Sequence, residues 1–201
     1  MSFHPLMLYD RARFQQSDRR FAEEGPPFFF TAERRATLDD LLTKYPPDQK
    51  RSAVLAALYL VQEQHGHLTA NGMRHVAEIL EITPAEVEDV ATYYVMFFKA
   101  PVGKYVLQVC RTLSCALAGA ERVTEALAEK LGIHPGETDP SGMFTLMEFE
   151  CLGACDRAPI VMVNNEHWHE HVRPEECGRL IDEMRAKGEA VFTGCHLKVE
   201  R

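Results

Sequence analysis

A chain of 201 residues that is 46% hydrophobic and 26% charged has an ordinary globular composition, with enough length for one sizeable core or two small ones. Its formal net charge of −8 argues against binding to nucleic acid or anionic lipid, because both require basic surfaces. The longest unbroken apolar run, Ala53 to Val61, is far shorter than the roughly 20 residues of a membrane-spanning helix. We therefore expect protein partners, no nucleic acid and no direct membrane insertion.

The location expected for this chain decides how its six cysteines are interpreted. Near the amino terminus, acidic residues stand among the arginines and no apolar segment follows, so neither a secretory signal nor a typical transit peptide is predicted. The expected location is therefore the cytoplasm, where thiols stay reduced and disulfide frameworks are rare. Metal binding is then the first function to consider.

The first half of the chain divides into an irregular extension and a helical bundle. Residues 1–33 show no sustained hydrophobic period, and their adjacent aromatic residues Phe28, Phe29 and Phe30 are expected to pack on the protein itself rather than on a partner. Residues 34–100 are predicted to be helical, because apolar residues recur three and four positions apart. The helix ends are marked by a stop before Pro46, a C-terminal cap at Gly66, an N-cap at Thr69 and a capping box at Thr83.

Residues 101–201 are predicted to combine strands and helices. A buried strand runs from Tyr105 to Val109 and ends at Cys110, and a helix follows with its apolar side at Leu117, Val123, Leu127 and Leu131. Three more strands and a last helix are predicted at Phe144–Phe149, Ile160–Val163, Trp168–Val172 and from Pro174. This order indicates an α+β or α/β domain after the bundle.

Four of the cysteines form two close pairs, Cys110 with Cys115 and Cys151 with Cys155, each beginning where a predicted strand ends. Both pairs are predicted to lie in loops, and loops on one edge of a sheet can bring four thiolates together in a soft-metal site. A two-iron cluster needs two cysteine sulfurs on each iron. The wide loops let backbone N–H groups turn toward the cluster, most closely at Gly153.

Three other interpretations of these cysteines remain open. Zinc could occupy a structural site of four thiolates, although zinc ribbons and fingers commonly use tighter C-x-x-C knuckles. A thioredoxin-type dithiol also requires C-x-x-C, which this sequence lacks. Four unrelated core thiols would be expected among apolar residues. The neighbours here are instead polar: Arg111, Ser114, Asp156 and Arg157.

Several stretches between about residues 45 and 190 make the sequence similar to a known family. They are Val90–Phe97, Pro101–Tyr105, Gly136–Thr138 and Glu150–Pro159, together with Val109, Cys110 and Cys115. On these residues the chain resembles the 24 kDa [2Fe–2S] subunits of respiratory complex I, the NADH:quinone oxidoreductase. The resemblance implies an α+β fold, with an N-terminal helical bundle followed by a thioredoxin-like [2Fe–2S] ferredoxin domain. We therefore expect the helical bundle at residues 34–100 and the thioredoxin-like [2Fe–2S] domain at residues 101–201, after an irregular N-terminal extension at residues 1–33 that has no counterpart in the family.

The same resemblance implies a site and a role. The [2Fe–2S] cluster would be held by Cys110, Cys115, Cys151 and Cys155, and this chain would carry electrons without a catalytic residue of its own. The cluster would exchange electrons with the FMN of an adjacent subunit that also binds NADH, and a larger iron–sulfur subunit would follow. Such a complex lies on the cytoplasmic side of a bacterial inner membrane or in the mitochondrial matrix.

Alternative functions follow from the same motifs. The chain could be the equivalent diaphorase subunit of an NAD-linked hydrogenase or formate dehydrogenase, or less closely a zinc-stabilised interaction module. The sequence contains no Gly-rich phosphate loop, so NADH and FMN are assigned to the partner subunit.

Other chemically reactive residues are expected to have ordinary structural roles. His167, His169 and His171 alternate on a predicted strand and would share one solvated face without a metal. Cys177 and Cys195 have no close cysteine partner and are expected to be core thiols. The charges beside the cysteine pairs are expected to be solvated: Arg111, Glu148, Glu150 and Arg157.

Overall fold

The computed structural model describes residues 24–192, whose contacts divide them into two compact units. The helical unit comprises residues 24–101 and the sheet unit residues 102–192. Across this described part of the chain, no helix is both long enough and apolar enough to cross a membrane.

The helical unit is built from amphipathic helices around one apolar core. Its elements are α1 (Ala32–Leu42), a 3-10 helix (Pro47–Ala53), α2 (Val54–His65), α3 (Ala70–Leu80) and α4 (Pro84–Tyr93). The core includes Leu38 from α1, Leu58 and Val61 from α2, and Val76 and Leu80 from α3. The helices that the apolar periodicity predicted are therefore confirmed. The segment after Pro46 differs in that it begins as a 3-10 helix.

The predicted end signals act where the sequence placed them. Gly66 follows α2 in the left-handed conformation, with φ of 88°, which a glycine adopts without steric cost. The hydroxyl of Thr69 accepts a hydrogen bond from the Gly72 N–H at 3.1 Å and so caps α3. At α4 the cap is reciprocal: the Glu86 N–H donates to the Thr83 hydroxyl at 3.3 Å, and the Thr83 N–H donates to the Glu86 carboxylate at 2.9 Å.

The aromatic segment before α1 packs largely on the helical unit. The Phe28 side chain is buried in its core, and Phe28 and Phe30 both contact the His75 ring of α3. Phe29 also contacts His75 but stays exposed. The expectation that these aromatic residues pack on the protein itself is therefore confirmed for Phe28. Residues 1–23 of the predicted extension lie outside the described residues.

The sheet unit contains a four-stranded mixed sheet with the strand order β2-β1-β3-β4. Its strands are β1 (Tyr105–Cys110), β2 (Phe144–Phe149), β3 (Val161–Val163) and β4 (His167–His169). β1 pairs parallel to β2 and antiparallel to β3, and β4 pairs antiparallel to β3. Every residue of the central strand β1 is buried, including Gln108, as the largely apolar character of the strand predicts.

Helices α5 (Leu113–Leu117), α6 (Ala120–Leu131) and α7 (Pro174–Lys187) complete this unit. α6 contacts β1, β2 and α7. The core of the unit joins side chains from both long helices to those of the sheet: Val123, Leu127, Ile181 and Met184 with Leu107, Phe144 and Leu146.

Two local predictions in the sheet unit were wrong. The single helix expected after Cys110 is divided at Gly119, which has φ of 94°, and Leu117 is 81% exposed rather than buried on an inner side. The last strand covers His167–His169 instead of Trp168–Val172, because Asn164 and Asn165 both adopt positive φ in a tight turn and bring Met162 opposite Trp168.

The capping box of α4 gives a direct test of the helical unit. We expect Thr83→Ala to lower the free energy of unfolding by about 1 kcal/mol, because the Glu86 N–H loses its side-chain acceptor and keeps only the Thr83 carbonyl. Thr92→Ala is the matched control: Thr92 is an exposed α4 residue whose hydroxyl only donates to helix carbonyls, so its loss should change stability little. Urea titration followed by circular dichroism measures both variants. Equal stability of the two would show that the cap contributes nothing.

Candidate metal centre

The two cysteine pairs lie at one edge of the sheet because β1 and β2 are parallel. The carboxyl ends of parallel strands point the same way, and Cys110, the last residue of β1, stands opposite Phe149, the last residue of β2. Cys151 follows Phe149 by two residues. The backbone continues this pairing just beyond the strands, since the Arg111 N–H donates to the Phe149 carbonyl at 2.9 Å. The segments that leave the two strands therefore run side by side.

Short helical turns bring the second cysteine of each pair back toward the first. Cys115 lies within α5, which follows the N-cap Thr112, and Cys155 begins a 3-10 turn that ends at Arg157. α5 contacts this 3-10 turn. The prediction that both pairs lie in loops is thus wrong for Cys115, whose α5 turn closes when the Ala116 N–H donates to the Thr112 carbonyl at 2.9 Å.

The four sulfurs interact with one another. Cys151 Sγ and Cys155 Sγ are 3.5 Å apart, and the Cys110 side chain is close enough to Cys115 to raise the pKa of its thiol. The two pairs also influence each other electrostatically, since Cys155 acts on the Cys115 thiol and Cys110 acts on Cys155. The structure therefore places all four predicted ligands in one neighbourhood.

The two cysteine pairs differ in their exposure to solvent and in the pKa values of their thiols. Cys110 and Cys115 are buried, whereas Cys151 and Cys155 are exposed. Burial, followed by the hydrogen bond to Cys110, raises the pKa of Cys115 to about 11. The Gly153 N–H lowers the pKa of Cys151, and the neighbouring Cys151 raises the pKa of Cys155. The first thiolate to form is thus favoured on the exposed pair.

Hydrogen-bond donors surround the sulfurs, and sequence reasoning missed most of them. The Gly153 N–H and the Thr112 hydroxyl interact with Cys151, the Ser114 hydroxyl with Cys155, and the Ile160 N–H with Cys115. Each interaction favours the thiolate form of its cysteine. Gly153 was predicted from its freedom of conformation. For Thr112 and Ser114, the sequence offered only their position: both are hydroxyl residues between Cys110 and Cys115.

This arrangement fits two metal ions that each take two thiolates. Two sulfurs bound to the same tetrahedral ion at about 2.3 Å lie roughly 3.8 Å apart, close to the 3.5 Å between Cys151 Sγ and Cys155 Sγ. Within residues 24–192, no three His, Cys, Asp or Glu side chains are placed to hold one metal ion together. The donor set, four thiols in two pairs, suits a [2Fe–2S] cluster, in which each iron takes two thiolates.

Both arginines beside the cysteine pairs form ion pairs with carboxylates. The Arg111 Nε donates to Glu150 Oε1 at 3.2 Å, and Arg157 Nη1 donates to Glu170 Oε2 at 2.7 Å. Glu150, Arg157 and Glu148 have exposed or partly exposed side chains, but Arg111 is only partly exposed. The expectation of solvated charges is therefore wrong for Arg111, whose side chain is only 19% exposed and whose charge is balanced by Glu150.

The remaining cysteines and histidines have structural surroundings. Cys177 is buried on α7, where its Sγ lies 3.5 Å from the Arg173 carbonyl oxygen and 3.9 Å from that of Val123, as expected of a core thiol. Cys195 lies outside the described residues. His167 stacks on Phe192 at 4.3 Å between ring centroids, and His169 also contacts Phe192.

The three histidines do not share a solvated strand face. His167 and His169 are partly buried, and only His171 is exposed. His171 lies beyond β4 with φ of 50°, so it no longer follows the alternation of the strand. The prediction of one exposed histidine face was therefore wrong, because the strand ends two residues before His171.

Comparison with known proteins agrees with this geometry. The sheet unit and its paired thiols define the class of thioredoxin-like iron–sulfur carriers, and residues 38–185 match the family described as thioredoxin-like [2Fe-2S] ferredoxin. The chain belongs to this family.

Two relatives place the chain more narrowly within the family. It is 40% identical over 157 residues to NADH-quinone oxidoreductase subunit 2 of Thermus thermophilus, a match covering 78% of this chain and 87% of that protein. It is also 40% identical over 159 residues to an NADH-quinone oxidoreductase subunit of Rickettsia bellii, covering 79% of this chain and 95% of that protein. The resemblance to the 24 kDa subunits and the α+β, thioredoxin-like fold are thereby confirmed.

A solved structure shares the fold at lower identity. The air-oxidized NAD+-reducing [NiFe]-hydrogenase superposes with a TM-score of 0.60 at 18% sequence identity, covering 76% of this chain. The match spans only 27% of that hydrogenase chain, so the likeness concerns the fold alone.

The difference in exposure between the pairs predicts the order of thiol modification. In the cluster-free Cys195→Ser chain, iodoacetamide should modify Cys151 and Cys155 before Cys110, Cys115 and Cys177, because only the first two are exposed. Peptide mass spectrometry after timed quenching measures the order, and the same reaction in concentrated urea is the control that removes burial. Modification of Cys115 as fast as Cys151 in native buffer would contradict the described burial.

Proposed function

We propose that this chain is an electron-carrying subunit of an NADH:quinone oxidoreductase and that Cys110, Cys115, Cys151 and Cys155 hold its [2Fe–2S] cluster. One observation carries the proposal: parallel β1 and β2 deliver two cysteine pairs to one sheet edge. The chain is 40% identical to proteins named as subunits of that complex. Zinc is disfavoured because the family to which the chain belongs is defined by a [2Fe–2S] domain.

The residues of the site support electron transfer without substrate chemistry. The cluster, when bound, supplies a centre that accepts and returns one electron. The chain supplies four thiolates and directs N–H and O–H donors toward them from Gly153, Thr112 and Ser114. Such hydrogen bonds stabilise negative charge on the sulfurs and so favour the reduced state.

The donor of the electron is proposed to be FMN in an adjacent subunit that binds NADH, with a larger iron–sulfur subunit beyond it. The sequence has no phosphate-binding glycine loop of its own, which supports a separate nucleotide-binding partner. The complex would be peripheral to the cytoplasmic side of a bacterial inner membrane, or lie in the mitochondrial matrix of a eukaryote. The alternative, a subunit of an NAD-linked hydrogenase, is supported by similarity of fold alone. The 40% sequence identities favour a subunit of the quinone oxidoreductase.

The surface beside Cys115 supports docking of that partner at the site. Leu113 and Leu117 are 75% and 81% exposed, and their i, i+4 spacing places both on one side of α5. Exposed leucines next to a metal centre suit an apolar protein contact. Because this contact is apolar, moderate salt should weaken it only slightly.

Replacement of single cysteines tests the ligand assignment. Ala at any of positions 110, 115, 151 or 155 should remove or destabilise the cluster, because one of the two irons would lose one of its two thiolates. Cys177→Ala is the matched control and should keep the visible absorption, since the Cys177 sulfur lies in the core beside the Arg173 and Val123 carbonyl oxygens. Absorption and paramagnetic resonance spectra, with iron and acid-labile sulfide analysis, provide the measurements. Stoichiometric zinc without sulfide after anaerobic purification would reject the proposal.

Replacement of the two exposed leucines tests the partner. The chain co-expressed with the flavin subunit should co-purify with it and with FMN, and Leu113→Ser combined with Leu117→Ser should weaken binding by tenfold or more, about 1.4 kcal/mol. Glu129→Ser, at an exposed polar position on α6, is the control. An unchanged cluster spectrum would show that the double leucine variant still binds the cluster, so that weaker binding reports on the surface alone. A chain that stays monomeric beside a flavin-loaded partner would contradict the subunit assignment.

A further inference from the structure

We infer that Trp168 is a positioning residue that orients the Gly153 N–H toward the Cys151 sulfur by holding the Leu152–Gly153 peptide. The inference rests on the proposal that Cys151 is a cluster ligand. It assigns a role to a residue of β4 that lies 17 positions beyond Cys151 in the sequence.

The indole ring of Trp168 is well fixed. Trp168 stands opposite Met162 in the antiparallel pairing of β4 with β3, and its side chain packs against the core of the sheet unit. Its Nε1–H donates to the carbonyl oxygen of Leu152 at 3.2 Å. An indole N–H is a donor only, so this bond has one sense. The loop after Cys151 is thus held by a side chain of the paired strand β4, which lies outside the loop.

The held carbonyl belongs to the same peptide group as the Gly153 N–H. A trans peptide is planar, and its C=O and N–H point in opposite directions. When Trp168 fixes the direction of the Leu152 carbonyl, it therefore also fixes the direction of the Gly153 N–H. That N–H interacts with the sulfur of Cys151.

The loop has little else that would keep this peptide from turning. Gly153 has φ of 82°, and a Cβ built on it would meet nothing within 4 Å, so the side of the backbone where a side chain would lie is open. The flanking Leu152 and Ala154 side chains pack against the core, which anchors both ends of the segment. Side-chain anchors do not prevent a peptide plane next to glycine from rotating, because glycine accepts many backbone conformations. The hydrogen bond from Trp168 opposes that rotation directly.

The orientation has an electronic consequence for the cluster. Hydrogen bonds to cysteine sulfur are one of the factors that set the potential of an iron–sulfur cluster. An N–H that points at Cys151 stabilises negative charge there, and the reduced cluster carries more of it than the oxidised cluster does. Loss of the Trp168 hydrogen bond should therefore shift the reduction potential to a more negative value and speed the loss of the cluster.

The N–H of Trp168 can be removed without changing the shape of the side chain. The sequence has a single tryptophan, so a tryptophan analogue incorporated during expression replaces this residue alone. A benzothiophene analogue has sulfur in place of the indole N–H, whereas a thienopyrrole analogue keeps the N–H and alters only the fused ring. Trp168→Phe provides a genetically encoded form without the donor.

The experiment compares the full chain with its cluster in these forms. Paramagnetic resonance during a redox titration gives the potential, and the hyperfine coupling of exchangeable protons reports N–H groups close to the sulfurs. We expect a more negative potential and a weaker coupling with benzothiophene and with Trp168→Phe, and unchanged values with thienopyrrole. Should Trp168→Phe fail to fold, the two analogues still decide the result.

Each outcome separates this inference from the proposed function. A cluster whose potential and coupling are the same with and without the N–H overturns the role of Trp168. Equal shifts with both analogues also overturn it, because they would show that ring packing matters and the hydrogen bond does not. If the unmodified chain holds no [2Fe–2S] cluster, or Cys151→Ala retains one with an unchanged spectrum, the proposed function fails instead.

Discussion

The parallel pairing of β1 with β2 is the constraint on which the site depends. It aligns Cys110 with Phe149 and directs both chain ends to one edge of the sheet, although about 40 residues separate the cysteine pairs. Parallel strands require a crossover, and α6 fills that role by packing on β1 and β2. The core between α6, α7 and the sheet therefore stabilises the same register that brings the cysteine pairs together.

The site combines a buried pair with an exposed one, and the two have different effects on charge. Burial opposes thiolate formation at Cys115, whereas the exposed Cys151 receives the Gly153 N–H and can hold negative charge at lower cost. Backbone and hydroxyl donors reduce the cost at each position. A group bound across both pairs would thus be fixed on its inner side and open to electron exchange on its outer side.

Much of this could be predicted from the sequence, because the elements are specified locally. The caps Thr69 and Thr83 mark the starts of their helices, and the largely apolar run of β1 indicates a buried strand, whatever the rest of the fold is. The break at Gly119 and the exposure of Leu117 could not be predicted, because a leucine at helical spacing looks the same whether it faces the core or solvent. The contact between Trp168 and Leu152 was equally hidden, since it depends on how the β3–β4 hairpin lies beside a distant loop.

The short helix α5 connects the site with the surface. Cys115 is two residues from both Leu113 and Leu117, so it points away from the side that the leucines share, and it is 1% exposed while they are largely exposed. A protein that covered the leucines would lie across a single turn of helix, about 10 Å in diameter, from the Cys115 sulfur. A partner bound at the proposed leucine surface would therefore lie within about one helix diameter of the proposed ligand Cys115.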